Sequence, residues 1–213
     1  MINLEISKRL ISSFILIPSF TYIVLFEPFI LKISLFILLI LALIEWLKMV
    51  HNFFLKIFGC IFIFFSFYCS FFIINFKSEL FFYLILVICI ATDVGGYIFG
   101  KIFKGPRLTK ISPNKTYSGA LGSFFLPMIF FSILSYSKFF YLLDFNFNLG
   151  IIFCLSLISQ IGDLIISYFK RLYNIKDTGK IIPGHGGILD RIDGMLFVFP
   201  FIFLTIKLDF LLF

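Results

Sequence analysis

Long apolar runs, separated by short polar segments, make up most of this chain. Runs of about the length that an α-helix needs to cross a bilayer occur at residues 10–26, 29–50, 53–75, 80–103, 118–137, 149–169 and 194–212. These runs contain few charged residues. The pattern predicts an all-α, polytopic integral membrane protein with about seven transmembrane helices and two polar loops, residues 104–117 and 170–193.

The composition excludes an ordinary soluble domain. Of the 213 residues, 61% are hydrophobic and 14% are charged, whereas soluble domains average about 45–50% and about 25%. The first apolar run follows Lys8 and Arg9, as in a signal peptide, but no small-residue cleavage site follows it. We therefore interpret this run as a retained first helix.

The net charge of +7 raises the question of a nucleic-acid partner. No such partner is expected, because the sequence has no soluble basic domain to bind one. With the amino end in the cytoplasm, fourteen of the 18 Lys and Arg residues fall on that side, and the exceptions are Lys32, Lys77, Lys138 and Lys207. This bias predicts that both polar loops are cytoplasmic.

Four aspartates lie within or at the ends of predicted spans, on their cytoplasmic half: Asp93, Asp163, Asp190 and Asp193. A carboxylate near the centre of a membrane helix costs about 2.5–3.5 kcal/mol on insertion scales, so such residues are rare and usually functional. On a helix, Asp163 shares one side with Ser167, Lys170 and Arg171. This stripe indicates either a polar site or a seam inside the helix bundle, with the two cations as membrane anchors.

The segment "KDTGKIIPGHGG" has one proline and four glycines between Gly179 and Gly187, which predicts a loop. The backbone of such a loop can approach a ligand closely. Lys176, Lys180 and His185 could offer charge or hydrogen-bond donors to a phosphate. A basic, glycine-rich loop is a weak signal when taken alone.

Asp190 and Asp193 are three residues apart in "LDRIDG", on one face of a predicted helix. Two carboxylates this close repel each other unless a cation lies between them or one of them binds a proton. Mg²⁺ fits such a pair best, because it binds carboxylate oxygens, retains waters and recruits substrate phosphates. The alternative is a structural ion pair with Arg or Lys.

The other polar loop, in "GKIFKGPRLTKISPNKTYSG", is also basic and rich in turn-forming residues. Its cations are Lys101, Lys104, Arg107, Lys110 and Lys115. They either set the membrane topology or bind an anion. Two basic loops on one face, beside membrane aspartates, favour a site for a polyanion at the lipid interface, and we expect Lys110, Asn114 and Lys115 to bind substrate.

From Ser167 to Asp193 the sequence resembles the signature of the phosphatidate cytidylyltransferases, the CDP-diacylglycerol synthases. That signature is Ser, two residues, Lys-Arg, four residues and Lys-Asp, followed by Pro-Gly-His-Gly-Gly and Asp-Arg-x-Asp. The likeness extends to "ATDVGGYIFGKIFKGPRLTKISPNKTYSG" and to "QIGDLIIS". Residues 1–80 show little of it, so we divide the chain into amino-terminal membrane helices, 1–80, and a catalytic membrane region, 81–213.

The resemblance implies transfer of CMP from CTP to phosphatidate, which forms CDP-diacylglycerol and pyrophosphate, with Mg²⁺ as cofactor and a second cation compatible with it. It implies that Asp163, Asp190 and Asp193 are metal ligands and take part in catalysis with Lys176 and Arg191. The implied substrate-binding residues are Ser167, Lys170, Arg171, Asp177, His185, Gly186 and Gly187.

The substrates imply where the reaction takes place. CTP arrives from water and phosphatidate stays in the bilayer, so the resemblance implies an active site at the cytoplasmic surface of a bacterial inner membrane. A homodimer is compatible with the sequence but not required by it.

Three other functions are alternatives for this sequence. A CDP-alcohol phosphatidyltransferase needs a longer series of aspartates ending in Gly-x-x-x-Asp-x-x-x-Asp, which this sequence does not contain. A cation-coupled transporter could use Asp93 and Asp163 as a relay, but no repeated halves are found and the charges gather on one side. A related enzyme acting on another lipid phosphate stays open.

Overall fold

A computed structural model describes residues 19, 21–24, 26–109, 111–135, 149–179, 181 and 186–208. The helices are α1 (Pro28–Met49), α2 (Phe53–Phe76), α3 (Glu79–Phe103), α4 (Tyr117–Ser135), α5 (Leu149–Leu172), α6 (Leu189–Ile192) and α7 (Met195–Lys207). The described ranges contain no β-strand, and an isolated antiparallel bridge joins Arg107 and Thr116. The all-α class is therefore confirmed.

Four of these helices, α1, α2, α3 and α5, are long and apolar enough to cross a membrane. The apolar helices α4 and α7 are shorter. Six of the seven predicted spans coincide with described helices, whereas most of the span at residues 10–26 lies outside the described residues. The helices show a membrane protein, and the number seven stays a prediction.

The described residues form two compact units. In the first, the described residues up to Tyr83 pack with those between Phe169 and Ile192. Trp46, near the end of α1, donates a hydrogen bond from Nε1 to the carbonyl of Lys56 at 3.2 Å, and its ring meets that of Phe169 edge-on at 5.2 Å between centroids. The end of α1 is thereby joined to α2 and to the last turn of α5.

The second unit consists of Leu84–Tyr168 and the described residues from Asp193 onward. Here α3 and α4 come into backbone contact. They lie so close that a Cβ on Gly95 would overlap the carbonyl oxygen of Gly122. Thr92 on α3 donates a hydrogen bond to Ser156 on α5 at 3.1 Å, and both side chains are buried. Small and hydroxyl side chains thus allow these helices to pack closely.

The polar loop between α3 and α4 has a defined backbone. It leaves α3 through Lys104 and Gly105, which have φ values of 51° and 116° in the left-handed region. The N–H of Leu108 donates to the carbonyl of Lys115 at 2.8 Å. Thr116 Oγ1 then accepts a hydrogen bond from Gly119 N at 3.1 Å and caps the start of α4. The position of Lys115 is therefore fixed by its own loop.

Candidate active site

Asp190 is the centre of the first polar cluster. Its Oδ1 accepts a hydrogen bond from Lys170 Nζ at 2.8 Å, and its Oδ2 accepts from the N–H groups of Thr178 at 2.9 Å and Gly187 at 3.1 Å. The Lys170 and Asp190 side chains are only 11% and 6% exposed. Three residues that the sequence predicted for the site, Lys170, Gly187 and Asp190, therefore lie together.

Two opposing effects act on the Asp190 carboxyl. Burial raises its pKa, because a low-dielectric environment disfavours the charged form. The hydrogen bonds from Lys170 and the two backbone N–H groups, together with the charge of Lys170, outweigh burial and hold the pKa below its ordinary value. Asp190 is therefore an anion at neutral pH and keeps its lysine and both ends of the loop in contact.

A second carboxylate, from Glu45 on α1, contacts the same segment. Its Oε2 accepts hydrogen bonds from Thr178 Oγ1 at 2.8 Å and from Leu189 N at 2.8 Å, and its Oε1 accepts from Ile188 N at 3.0 Å. Glu45 is 2% exposed. A residue from the amino-terminal helices thus contacts the motif that was assigned to residues 81–213.

The glycines of this segment have structural reasons of their own. A Cβ on Gly179 or Gly187 would overlap the Glu45 carboxylate. Gly186 has φ of +83°, which side chains rarely adopt. From the sequence, these glycines were predicted to let the backbone approach a phosphate. At Gly179 and Gly187 the structure shows that the missing side chains make room for Glu45.

Asp163 is the centre of the second cluster, which lies in the other unit. Its Oδ2 is 2.5 Å from Lys115 Nζ, and its Oδ1 accepts from Ser167 Oγ at 3.2 Å. The side chains of Lys115 and Asp163 are 27% and 29% exposed. The predicted stripe on α5 is therefore confirmed for Asp163 and Ser167, which are one helical turn apart.

Asp193 lies at the joint between α6 and α7. The short helix α6 ends at Ile192, so Asp190 and Asp193 do not belong to one continuous helix, contrary to the prediction from their spacing. Asp193 is buried, and its Oδ1 accepts from Gly194 N at 2.8 Å. Its backbone carbonyl packs against Gly162, the residue before Asp163.

The remaining predicted site residues fall into two groups. Those that the structure exposes are Asn114, Arg171, Lys176, Asp177 and Arg191. Arg171 also donates a hydrogen bond to the carbonyl of Ile175 at 3.1 Å. Lys110 and His185 lie outside the described residues. The exposed residues are available to a ligand from water.

Among the described residues, no three His, Cys, Asp or Glu side chains lie close enough together to hold a metal ion by themselves. Asp163 and Asp190 each contact a lysine instead. The ligand set of Asp163, Asp190 and Asp193 therefore stays a prediction.

Glu45 and Thr178 were not among the residues predicted from the sequence. Glu45 carried a usable signal, because it is an acidic residue between Lys32 and Lys48 in an otherwise apolar run, and the cost argument applied to the four aspartates applies to it equally. Thr178 carried none, because a threonine in a polar loop is ordinary.

Known proteins resemble this chain over most of its length. The sequence model of the cytidylyltransferase family matches residues 50–209. A protein named phosphatidate cytidylyltransferase from Rickettsia bellii (strain RML369-C) is 36% identical over 211 residues, which cover 92% of this chain and 88% of that protein.

Two further relatives with that name match a shorter stretch. The Staphylococcus aureus (strain COL) protein is 46% identical over 114 residues, and the Helicobacter pylori (strain ATCC 700392 / 26695) protein is 44% identical over 117 residues. The matches cover 51% and 53% of this chain and 42% of each relative, so the chain spans less than half the length of these relatives in alignment. With three quarters of its residues inside the family match, this chain belongs to the cytidylyltransferase family.

Proposed function

We propose that this protein transfers CMP from CTP to phosphatidate, forming CDP-diacylglycerol and releasing pyrophosphate. The observation that carries the proposal is the network around Asp190, in which one carboxylate holds Lys170 and both ends of the glycine-rich loop. Its residues belong to the segment that matches the family. The names of the relatives add the substrate class.

The reaction needs little proton chemistry. A phosphate oxygen of phosphatidate, already an anion at neutral pH, attacks the α-phosphorus of CTP. A new phosphorus–oxygen bond forms, the bond between the α- and β-phosphates breaks, and its electron pair leaves with pyrophosphate. The main barrier is repulsion between two polyanions, so the protein must supply positive charge at fixed positions.

The lysines of the two clusters suit this task. Lys170 and Lys115 are each oriented by a carboxylate, and an oriented cation stabilises developing charge without reorganising during the reaction. Exposed Lys176 and Arg191 are proposed to bind the phosphates of CTP. Ser167, Arg171, Asp177 and the loop glycines are proposed to line the substrate site.

Mg²⁺ is the proposed cofactor, with Asp163, Asp190 and Asp193 as the proposed ligands. Their carboxylate oxygens are the donors that this ion prefers, and one or two carboxylates suffice when substrate phosphates complete its coordination. Mg²⁺ would neutralise phosphate charge and stabilise the leaving group. Both oxygens of Asp190 already accept hydrogen bonds, so its coordination would replace one of these contacts.

Seven spans and a cytoplasmic active site in a bacterial inner membrane complete the proposal. The described contact of Lys32 with Asn75 at 2.8 Å joins the beginning of α1 to the end of α2, at the side predicted to be external.

A cysteine introduced at Asn114 should react with a membrane-impermeant reagent only in inside-out vesicles. Reaction in right-side-out vesicles would reverse the orientation.

The activity is tested with purified protein and CTP labelled at either the α- or the γ-phosphate. We expect α-label in lipid and γ-label in pyrophosphate when phosphatidate and Mg²⁺ are present. Diacylglycerol is the control, since it lacks the attacking phosphate, and other phosphorylated lipids test for a related substrate. Failure of α-label to enter lipid with phosphatidate would contradict the proposal.

A further inference from the structure

We propose that Glu45 is a positioning residue, which anchors both ends of the glycine-rich loop from Thr178 to Leu189 in the geometry that binds CTP. This inference rests on the proposed function. Glu45 is not part of the family motif, since it lies on α1, more than 130 residues before Thr178.

The contacts place Glu45 at the two ends of the loop. It accepts the hydroxyl of Thr178 at the first end and the N–H groups of Ile188 and Leu189 at the second. Thr178 donates its own N–H to Asp190, so two carboxylates hold this residue at once. A loop whose ends are fixed loses less conformational freedom on binding a ligand than a loop whose ends are free.

Burial excludes a direct catalytic role for Glu45. At 2% exposure its carboxylate is out of reach of a nucleotide from water, and three hydrogen-bond donors from the loop already surround it. An anion next to a phosphate site is tolerable only when it is shielded in this way. Glu45 therefore acts through the loop.

The charge of Glu45 is needed as well as its shape. Both carboxylate oxygens accept hydrogen bonds from the loop, and charged acceptors make stronger hydrogen bonds than neutral ones. A glutamine has one acceptor oxygen, and its NH₂ group would face donors at the other position. Because Gly179 and Gly187 leave no spare room beside the carboxylate, the amide cannot turn away.

The test compares Glu45→Gln with Glu27→Gln in the full-length protein. Glu27 precedes the other end of the same helix, and its side chain makes no capping hydrogen bond there. We expect Glu45→Gln to raise the KM for CTP by about tenfold, the equivalent of one charged hydrogen bond, with a much smaller change in kcat. Glu27→Gln should match the wild type in both.

A second readout follows the loop without turnover. Trypsin cleaves after Lys176, which is exposed beside Thr178, and cleavage after Lys104 in the other loop is the internal reference. We expect Glu45→Gln, but not Glu27→Gln, to be cleaved several times faster at Lys176 than the wild type relative to Lys104. An unchanged KM for CTP, with or without faster cleavage, would overturn the inference.

A milder variant keeps the test decisive if Glu45→Gln does not fold. Thr178→Val removes one of the three hydrogen bonds to Glu45, whereas Thr178→Ser keeps it. Thr178→Val should raise the KM for CTP and Thr178→Ser should restore it, and equal KM values for the two would overturn the inference. If the wild type does not use CTP, the proposed function fails and relative cleavage at Lys176 alone decides whether Glu45 anchors the loop.

Discussion

The two lysine–aspartate pairs of this protein differ in how far each is removed from water. The pair of Lys170 and Asp190 is almost fully buried, and two backbone N–H groups satisfy the remaining carboxylate oxygen. The pair of Lys115 and Asp163 is more than a quarter exposed, with one further hydrogen bond from Ser167. A buried pair offsets its desolvation only through such additional bonds, whereas an exposed pair contributes about 0–1 kcal/mol.

This difference separates two tasks. Removing one partner of a buried pair leaves an uncompensated charge, so the stability of the folded state depends on Asp190. The partners of an exposed pair can separate at little cost, so Lys115 and Asp163 are free to exchange each other for a phosphate and a cation. The same pairing of lysine with aspartate is thus mainly structural where it is buried, and under the proposed function it is open to substrate and metal where it is exposed.

Asp190→Asn should have the largest effect. We expect turnover to be lost and the free energy of unfolding to fall by about 3 kcal/mol, because Lys170 keeps its charge in a buried site. Turnover and thermal unfolding in detergent measure the two effects. A variant that unfolds at the wild-type temperature would show that the buried pair is not structural.

Asp163→Asn should affect activity alone. We expect turnover to fall by at least about a hundredfold while stability changes by less than about 1 kcal/mol, because more than a quarter of each side chain in the ion pair is exposed to water. The dependence of the residual rate on Mg²⁺ concentration should also weaken. If this variant is destabilised as strongly as Asp190→Asn, the distinction between the two pairs fails.

Lys115→Gln tests the cation of the exposed pair. We expect the KM for CTP or phosphatidate to rise about tenfold, the size of one charge-assisted hydrogen bond, with unfolding unchanged. Lys104→Gln is the matched control, since it removes one positive charge from an exposed position of the same loop. Equal KM values for the two variants would show that Lys115 acts only through the overall positive charge of the loop and not through a specific contact with substrate.

Lys176→Gln should have the smallest effect. An exposed cation contributes about 0.2–1 kcal/mol to an ionic contact, so we expect the KM for CTP to rise a few-fold at low salt. Added salt should reduce the difference from the wild type, because exposed charges are screened. A KM that is unaffected at low salt would remove Lys176 from the nucleotide site.

Much of the helical fold follows from the sequence, because the spacing of apolar runs is a local property. The predicted span at residues 53–75 corresponds to α2, Phe53–Phe76, and that at 80–103 to α3, Glu79–Phe103. Where α6 ends could not be predicted in this way. Just beyond α6, Gly194 packs against Ser159, a contact that sequence spacing does not show.

The site was predictable where partners are one helical turn apart, as for Asp163 and Ser167. Contacts between distant segments were not. Lys170 was placed on the same stripe as Asp163, yet its Nζ bonds to Asp190, twenty residues further on. Glu45 is more distant still, and hydrophobic periodicity contains no information about which loop a buried carboxylate will meet.

The indole of Trp46 determines the rotational setting of α1 about its own axis. Its hydrogen bond to the Lys56 carbonyl and its contact with Phe169 fix the direction in which one residue of the helix points. Consecutive helical side chains differ by about 100° in direction, so fixing Trp46 also fixes the direction of Glu45. The direction of the Glu45 carboxylate toward the glycine-rich loop therefore depends on an aromatic neighbour whose own contacts are with Lys56 and Phe169.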